Sequence, residues 1–319
     1  MRLRSLLCTI AILAGMQPAL AQNWPTKTIH IIVPVSGGSA TDIIARTVAE
    51  EVSKQIGQTI VVENRTGAGG TIGSAFVAKS EPDGYTILVH SAAHVIAPST
   101  FTSLPYHPGR DFANVAALAD VPLVMVVSPA KYRTLRDLVA AAKAKPGSIN
   151  YGSVGYGAAA HLTSERLRLA AGFEAQQIPF KGAPEAITEV LAGRLDFFFS
   201  PTLPALPLLK DGRLRALAVS SAKRASVLPD VPTTIEAGYP DSDYNFWIGM
   251  FVPAHTPQAI VDRLHDETAK ALRLKSVQEK LGRLGSDPMP MSQREFDTFV
   301  HKEIDLNAAL VKAAGIKPH

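Results

Sequence analysis

Cysteine is nearly missing from this chain: its 319 residues contain one, Cys8. Everything after the first 21 residues therefore has no disulfide, no thiolate nucleophile and no cysteine-ligated metal. Long apolar runs are also absent beyond that leader, and none approaches the roughly 20 residues a membrane-spanning helix needs. Charge of one sign is not in excess. Lys and Arg number 32 against 28 Asp and Glu, and two of the arginines, Arg2 and Arg4, lie in the leader. The remaining 30 basic and 28 acidic residues are scattered, which argues against nucleic acid as a partner. Three glycine signatures fail on spacing. No lysine follows Gly37-Gly38 as in a phosphate loop, and Gly67, Gly69 and Gly73 do not match the dinucleotide fingerprint. Gly152-Ser153-Val154-Gly155 is one residue short of a hydrolase nucleophile elbow. No low-complexity segment stands out.

What is present begins with an export signal. Arg2 and Arg4 precede an apolar core from Leu6 to Gly15, and Ala19-Leu20-Ala21 is a small-x-small cleavage site. Cleavage after Ala21 leaves 298 residues and places the mature protein in the periplasm. Cys8 follows Leu7 and lies inside the apolar core, which is the wrong setting for a lipid anchor. A mature chain of this length, with 46% hydrophobic and 19% charged residues in the full sequence, suits two globular domains.

Short β-rich runs alternate with helical stripes. TIHIIV at 28–33, TIVVE at 59–63 and YTILVH at 85–90 read as strands. Between them, Ile44, Val48, Val52 and Ile56 recur at helical spacing, and a second helix spans 71 to about 79. VPLVMVVS at 121–128 is a further strand, where the chain crosses into a second unit. That unit repeats the pattern: helix 135–145, strand into Tyr151, helix from about Ala158 to Ala171, strands at 175–180, 195–199 and 214–220. FWIGMFV at 246–252 re-enters the first unit, and two amphipathic helices end the chain. Such alternation predicts α/β domains built on mostly parallel sheets flanked by helices. The expected division is 22–124 plus 238–319 for one domain and 125–237 for the other.

Ligands of parallel α/β sheets bind beyond the carboxyl ends of the strands. The strand exits here are Ser36-Gly37-Gly38, Ser91-Ala92, Gly152-Ser153, Lys181-Gly182 and Ser200-Pro201. Serine and glycine at such turns also serve capping and positive φ, so about half of these positions are expected to touch no ligand. Two exits share a fuller design. IIVPVSGGSATDIIAR at 31–46 and YGSVGYGAAAHLTSE at 151–165 each run from an apolar strand through a small-residue loop into a helix start. Bare backbone N–H groups and the positive end of a helix dipole favour an anion there. The central expectation is that the two helix starts face each other across a cleft and hold one carboxylate. Asp42 is read as a cap that pairs with Arg46. His161 and Glu165, four apart, lack a third ligand at matching spacing and are read as helix-start residues, not a metal pair.

These stretches, together with ENRTGAGGTIGSAFVAKSEPDGYT at 63–86, PFKGAPEAITEVLAGRLDF at 179–197 and GRLRALAVSS at 212–221, resemble the periplasmic Bug receptors of tripartite tricarboxylate transporters. The resemblance spans nearly the whole mature chain. It implies a two-domain periplasmic-binding-protein fold with a ligand cleft between the domains, small carboxylates as ligands, membrane transporter subunits as partners, and no cofactor or metal. It also implies that Ser36, Gly38, Ser39, Thr41 and Asp42 grip the carboxylate from one side, and Ser153, Gly155, Gly157, Ala158, Ala159 and His161 from the other. Ser91, Lys181 and Ser200 are added as strand-exit candidates. Three positions depart from the family pattern. Val35 stands where relatives often have an aromatic residue, Ser39 where a glycine is usual, and Ser200 where an acid is common. The last leaves a ligand ammonium without a partner and favours plain carboxylic acids over amino acids.

The expectation is thus a non-enzymatic, monomeric receptor. The rival is an exported hydrolase or lyase using Ser153 or Ser36 with His161, although no carboxylate that would orient the histidine is legible. A ligand-sensing input for a membrane kinase would use the same binding physics.

Overall fold

The computed structural model describes residues 24–155, 157–180 and 182–318. The expected leader and the Lys181 site candidate lie outside the described residues. In the first half of the chain, β-branched runs form β1 (Ile29–Val33), β2 (Ile60–Asn64) and β3 (Thr86–Ser91). They alternate with the helices α1 (Ala40–Ile56), α2 (Thr71–Ala78) and α3 (Ala93–Thr100). β1 pairs in parallel with both β2 and β3, and β4 (Phe112–Asp120) extends the sheet in the same direction.

The chain then leaves this sheet. β5 (Leu123–Val127) opens a second one, with β6 (Ile149–Ser153), β7 (Ala175–Pro179), β8 (Phe197–Pro201) and β9 (Arg215–Val219) in the order β7-β6-β8-β5-β9. Helices α4 (Leu135–Ala144), α5 (Ala159–Ala171), α6 (Ala183–Leu191) and α7 (Thr202–Lys210) flank it. β10 (Trp247–Pro253) returns to the first sheet and slots antiparallel between β3 and β4. After α8 (Gln258–Arg273) and α9 (Lys275–Arg283), the short β11 (Asp287–Pro288) closes the edge, giving the order β11-β4-β10-β3-β1-β2. The last helix is α10 (Gln293–Ala313). Both sheets are mixed: β10 and β11 in the first and β5 in the second run against otherwise parallel strands.

The outgoing and returning segments run side by side. Val121 N–H donates to Phe246 O at 2.7 Å, and Tyr244 N–H to Ser220 O at 2.7 Å. Leu123 and Val124 already pair with Pro201 and Ser200 on the second sheet.

The cores explain the layering. Ile44, Val48 and Val52 of α1 pack with Val261 and Leu264 of α8 on one face of the first sheet. Val77 of α2, Val95 of α3 and Phe296 and Val300 of α10 cover the other face. The second sheet has its own cluster around Val124–Val127 and Phe197–Phe199. α5 serves both halves: Ala160 and Leu167 belong to the second core, while Leu162 is buried in the first half's cluster with Tyr244 and Trp247.

Candidate functional site

The start of α1 is built by its own sequence. Ser39 caps it, its Oγ accepting the Asp42 N–H at 3.3 Å. Asp42, 3% exposed, accepts Gly38 N–H at 2.9 Å, Arg46 Nε at 3.1 Å and Asn64 Nδ2 at 2.9 Å. Burial alone would raise this carboxyl, but Arg46, the Gly38 amide and Asn64 outweigh it and hold the group below its usual range. Asp42 thus acts as the structural anchor of the loop. Its bonds consume the Gly38 amide, and Ser39 N–H goes to Ser36 O. Among the described residues, the amides of Ala40 and Thr41 are left as the orphan donors of the first turn.

The start of α5 follows a different plan. Ala158 occupies the cap position and offers no side-chain bond. Gly155 and Gly157 take φ of +110° and +71°, which a glycine adopts without penalty. The Gly157 N–H donates to His161 Nδ1 at 3.0 Å. Ser153 is fully buried, and its Oγ accepts Gln177 Nε2 at 2.7 Å. No acceptor is present for the amides of Ala159 and Ala160 among the described residues.

The two loops share one cavity of about 650 Å³. Pro34, Val35 and Ser36 line it from the first half, and Val154, Gly157 and Ala158 from the second. The halves are close here: a Cβ on Gly157 would stand 2.8 Å from Thr100 Cγ2. Two further elements complete the walls. The turn after β2 contributes Thr66 to Gly70, and α3 with its exit contributes Ala93, Ile96, Thr100 and Phe101. A larger cavity, about 880 Å³, lies on the far side of the second loop against the C-terminal segment 314–318. It is lined by the charged Glu165, Arg168, Glu174 and Lys317, and it does not reach the α1 loop. The smaller cavity is the candidate site because, of these two, it is the one that joins both helix starts.

The expected site residues fall into three groups. Ser36, Gly157 and Ala158 line the shared cavity. Gly38, Ser39, Thr41, Asp42 and Ala159 form the helix starts behind it. Ser91, Ser153 and Ser200 are buried and do not line it, with Ser200 Oγ donating to Pro201 O at 2.8 Å and Ser91 Oγ accepting the Ala93 N–H at 3.4 Å. Gly155 and the largely buried His161 line the larger cavity instead. Ser153 Oγ accepts from Gln177 and His161 Nδ1 accepts from Gly157; no hydrogen bond joins Ser153 to His161 among the described residues. Sequence reasoning passed over Thr66–Gly70 as a failed nucleotide loop. The signal was its place at a strand exit beside β1, which the parallel pairing puts next to Ser36.

A two-sheet α/β chain with two crossings and a cleft walled by both halves is the architecture of a periplasmic solute-binding protein. A sequence profile described as "Tripartite tricarboxylate transporter family receptor" matches residues 44–316, and the chain belongs to that family. Protein BugT of Bordetella pertussis (strain Tohama I / ATCC BAA-589 / NCTC 13251) is 35% identical over 324 residues, covering 99% of each chain. Among solved structures, the periplasmic binding protein BugD is similar with a TM-score of 0.78 at 32% identity, covering 93% of this chain and 100% of that one. Rpa4515 of R. palustris with adipate gives 0.82 at 31%, covering 93% and 100%. MatC from Rhodopseudomonas palustris with bound malate gives 0.76 at 30%, covering 90% and 100%.

Proposed function

We propose that this protein is an exported receptor that encloses a small carboxylate between its two halves and presents it to the membrane subunits of a tripartite transporter. The observation that carries the reading is the single cavity lined by Ser36 from one helix start and by Gly157 and Ala158 from the other. Each half supplies unpaired backbone donors at a helix dipole, so only the closed form satisfies both sides of the anion. Excluding water from such donors strengthens each bond. The adipate and malate held by structural relatives support the ligand class. Delivery to a transporter rests on the family, and the leader at 1–21 supports export, with cleavage after Ala21 and a monomer as the working form.

Plain acids are favoured over amino acids. Ser200, a neutral residue where the family resemblance implies an acid, is buried and bonded to Pro201 O, so it offers an ammonium group no counter-charge. Calorimetry with adipate, malate, benzoate, glutarate and glutamate tests the reading. At least one plain acid should bind with enthalpy and raise the melting temperature without being converted, and glutarate should bind more tightly than glutamate. Tighter binding of glutamate would overturn the preference, and steady product formation would restore the hydrolase reading.

A further inference from the structure

His161, expected at the ligand, sits behind the loop that meets it. The side chain is 4% exposed and its ring lies stacked 6.3 Å from Tyr151 of β6. Tyr151 donates its hydroxyl to Glu165 Oε1 at 2.7 Å, and Glu165 is held in turn by Arg168, whose Nε lies 2.9 Å from Oε2. The imidazole is therefore fixed against the second core from below. From above, its Nδ1 accepts the amide of Gly157, the residue that abuts Thr100 across the cleft. Because an N–H can only donate, Nδ1 carries a lone pair and the ring proton of the neutral form sits on Nε2.

We propose that His161 is the positioning residue of the anion loop: its neutral imidazole pins the Gly157 amide, and a second proton on the ring releases the loop and the ligand. The proposal rests on the carboxylate-receptor reading. Protonating Nδ1 would set two donors against each other 3.0 Å apart, in place of a hydrogen bond. A cation in the first turn of α5 would also oppose the helix dipole. Among the described residues, the charged and titratable groups around the ring are Tyr151 on β6 and Glu165 and Arg168 on α5, with Glu174 and Lys317 lining the same cavity. Burial lowers the affinity of His161 for a proton, and Glu165 opposes that only in part, so the ring is neutral at neutral pH.

The test compares the wild type with His161→Asn, which keeps an acceptor near the Nδ1 position but does not titrate, and with His161→Ala. Benzoate is titrated calorimetrically at pH 7.5 and 5.0, where its own ionisation changes affinity by no more than about twofold; adipate, whose second carboxyl is substantially protonated at pH 5.0, is titrated at pH 7.5 only. Wild-type affinity should fall at least about fivefold at pH 5.0, while that of His161→Asn stays flat within about twofold; His161→Ala should bind at least about tenfold more weakly than wild type at pH 7.5. A flat wild-type profile, an equal fall in His161→Asn, or wild-type affinity in His161→Ala would each overturn the proposal. Nitrogen-15 spectra of the free protein give an independent reading: the Nε2–H tautomer supports the proposal and the Nδ1–H tautomer overturns it. If no acid binds the wild type at either pH, the carboxylate reading fails, and these spectra still decide the state of His161.

Discussion

His90 and His94 show how strongly place decides the chemistry of a residue. Both are buried in the first half. Burial brings the His90 imidazole down to about 3, and burial together with the charge of His90 holds His94 well below its usual 6.5. Neither nitrogen of His94 has a hydrogen-bond partner among the described residues, and the ring packs 4.6 Å from Phe112 and 4.7 Å from Phe251. An unfolded chain would take up these protons near 6.5, whereas the folded one resists. Stability is therefore full above about pH 6.5 and declines as the pH falls toward the folded value. His94→Phe should raise the unfolding free energy by about 1–2 kcal/mol at pH 7, because a buried unpaired polar group is removed. It should also flatten the loss between pH 7 and 5. Urea titrations at both pH values check this, and parallel slopes for wild type and variant would refute it. Spacing alone could flag the pair at 90 and 94, but only the surrounding rings show that it is core.

At the scale of elements, the amphipathic helices and β-branched strands were legible to within a residue or two. α1, α4 and α5 form where apolar spacing places them, as do β1, β2 and β6, but α1 is capped by Ser39 and not by Asp42, which sits in the first turn, and α5 has no side-chain cap. The unread elements share a physical cause. α3 contains Pro98, and α7 runs through Pro204 and Pro207, so each carries residues that normally break a helix. β4 is FANVAALAD, whose alanines favour helix but are held in a strand by pairing with β10. The closing segment forms three helices, α8, α9 and α10, where stripes predicted two. The loop before α5 gives the prediction at this scale. Gly157→Ala adds a methyl 2.8 Å from Thr100 Cγ2 at φ +71°, so it should lower affinity for adipate or benzoate at least about tenfold by parting the halves. Gly155→Ala is strained as well, at φ +110°, but its methyl meets nothing within 4 Å, and it should lose less. Equal losses by calorimetry would show that strain, and not contact across the cleft, sets the effect.

Across the whole molecule, the helix that carries the anion loop is also the one that joins the halves. Arg166 of α5 reaches Asp243 of the returning segment at 4.0 Å and acts on Glu303 of α10. Burial raises the Glu303 carboxyl, while the Trp247 indole N–H at 3.2 Å and the charge of Arg166 pull it back. Arg166 meets Asp243 only at 4.0 Å with both side chains partly exposed, and acts on Glu303 through its field, so removing it should cost about 1 kcal/mol. Arg166→Met should therefore lower the urea midpoint, and wild-type stability in that variant would show that the cluster does not hold α5 to α10.

The amphipathic helices and β-branched strands, the absence of cysteine after Cys8 and the two small-residue loops at helix starts were determined by the sequence, because each depends on residues close together in the chain. Tertiary structure alone decided which amides are spent and which remain. Asp42 takes the Gly38 N–H, and His161 takes the Gly157 N–H. It also brought Thr66–Gly70 and Phe101 to the cavity wall. Those outcomes depend on β1 lying beside β2 and on α5 packing between two cores, contacts between residues far apart that no local pattern records.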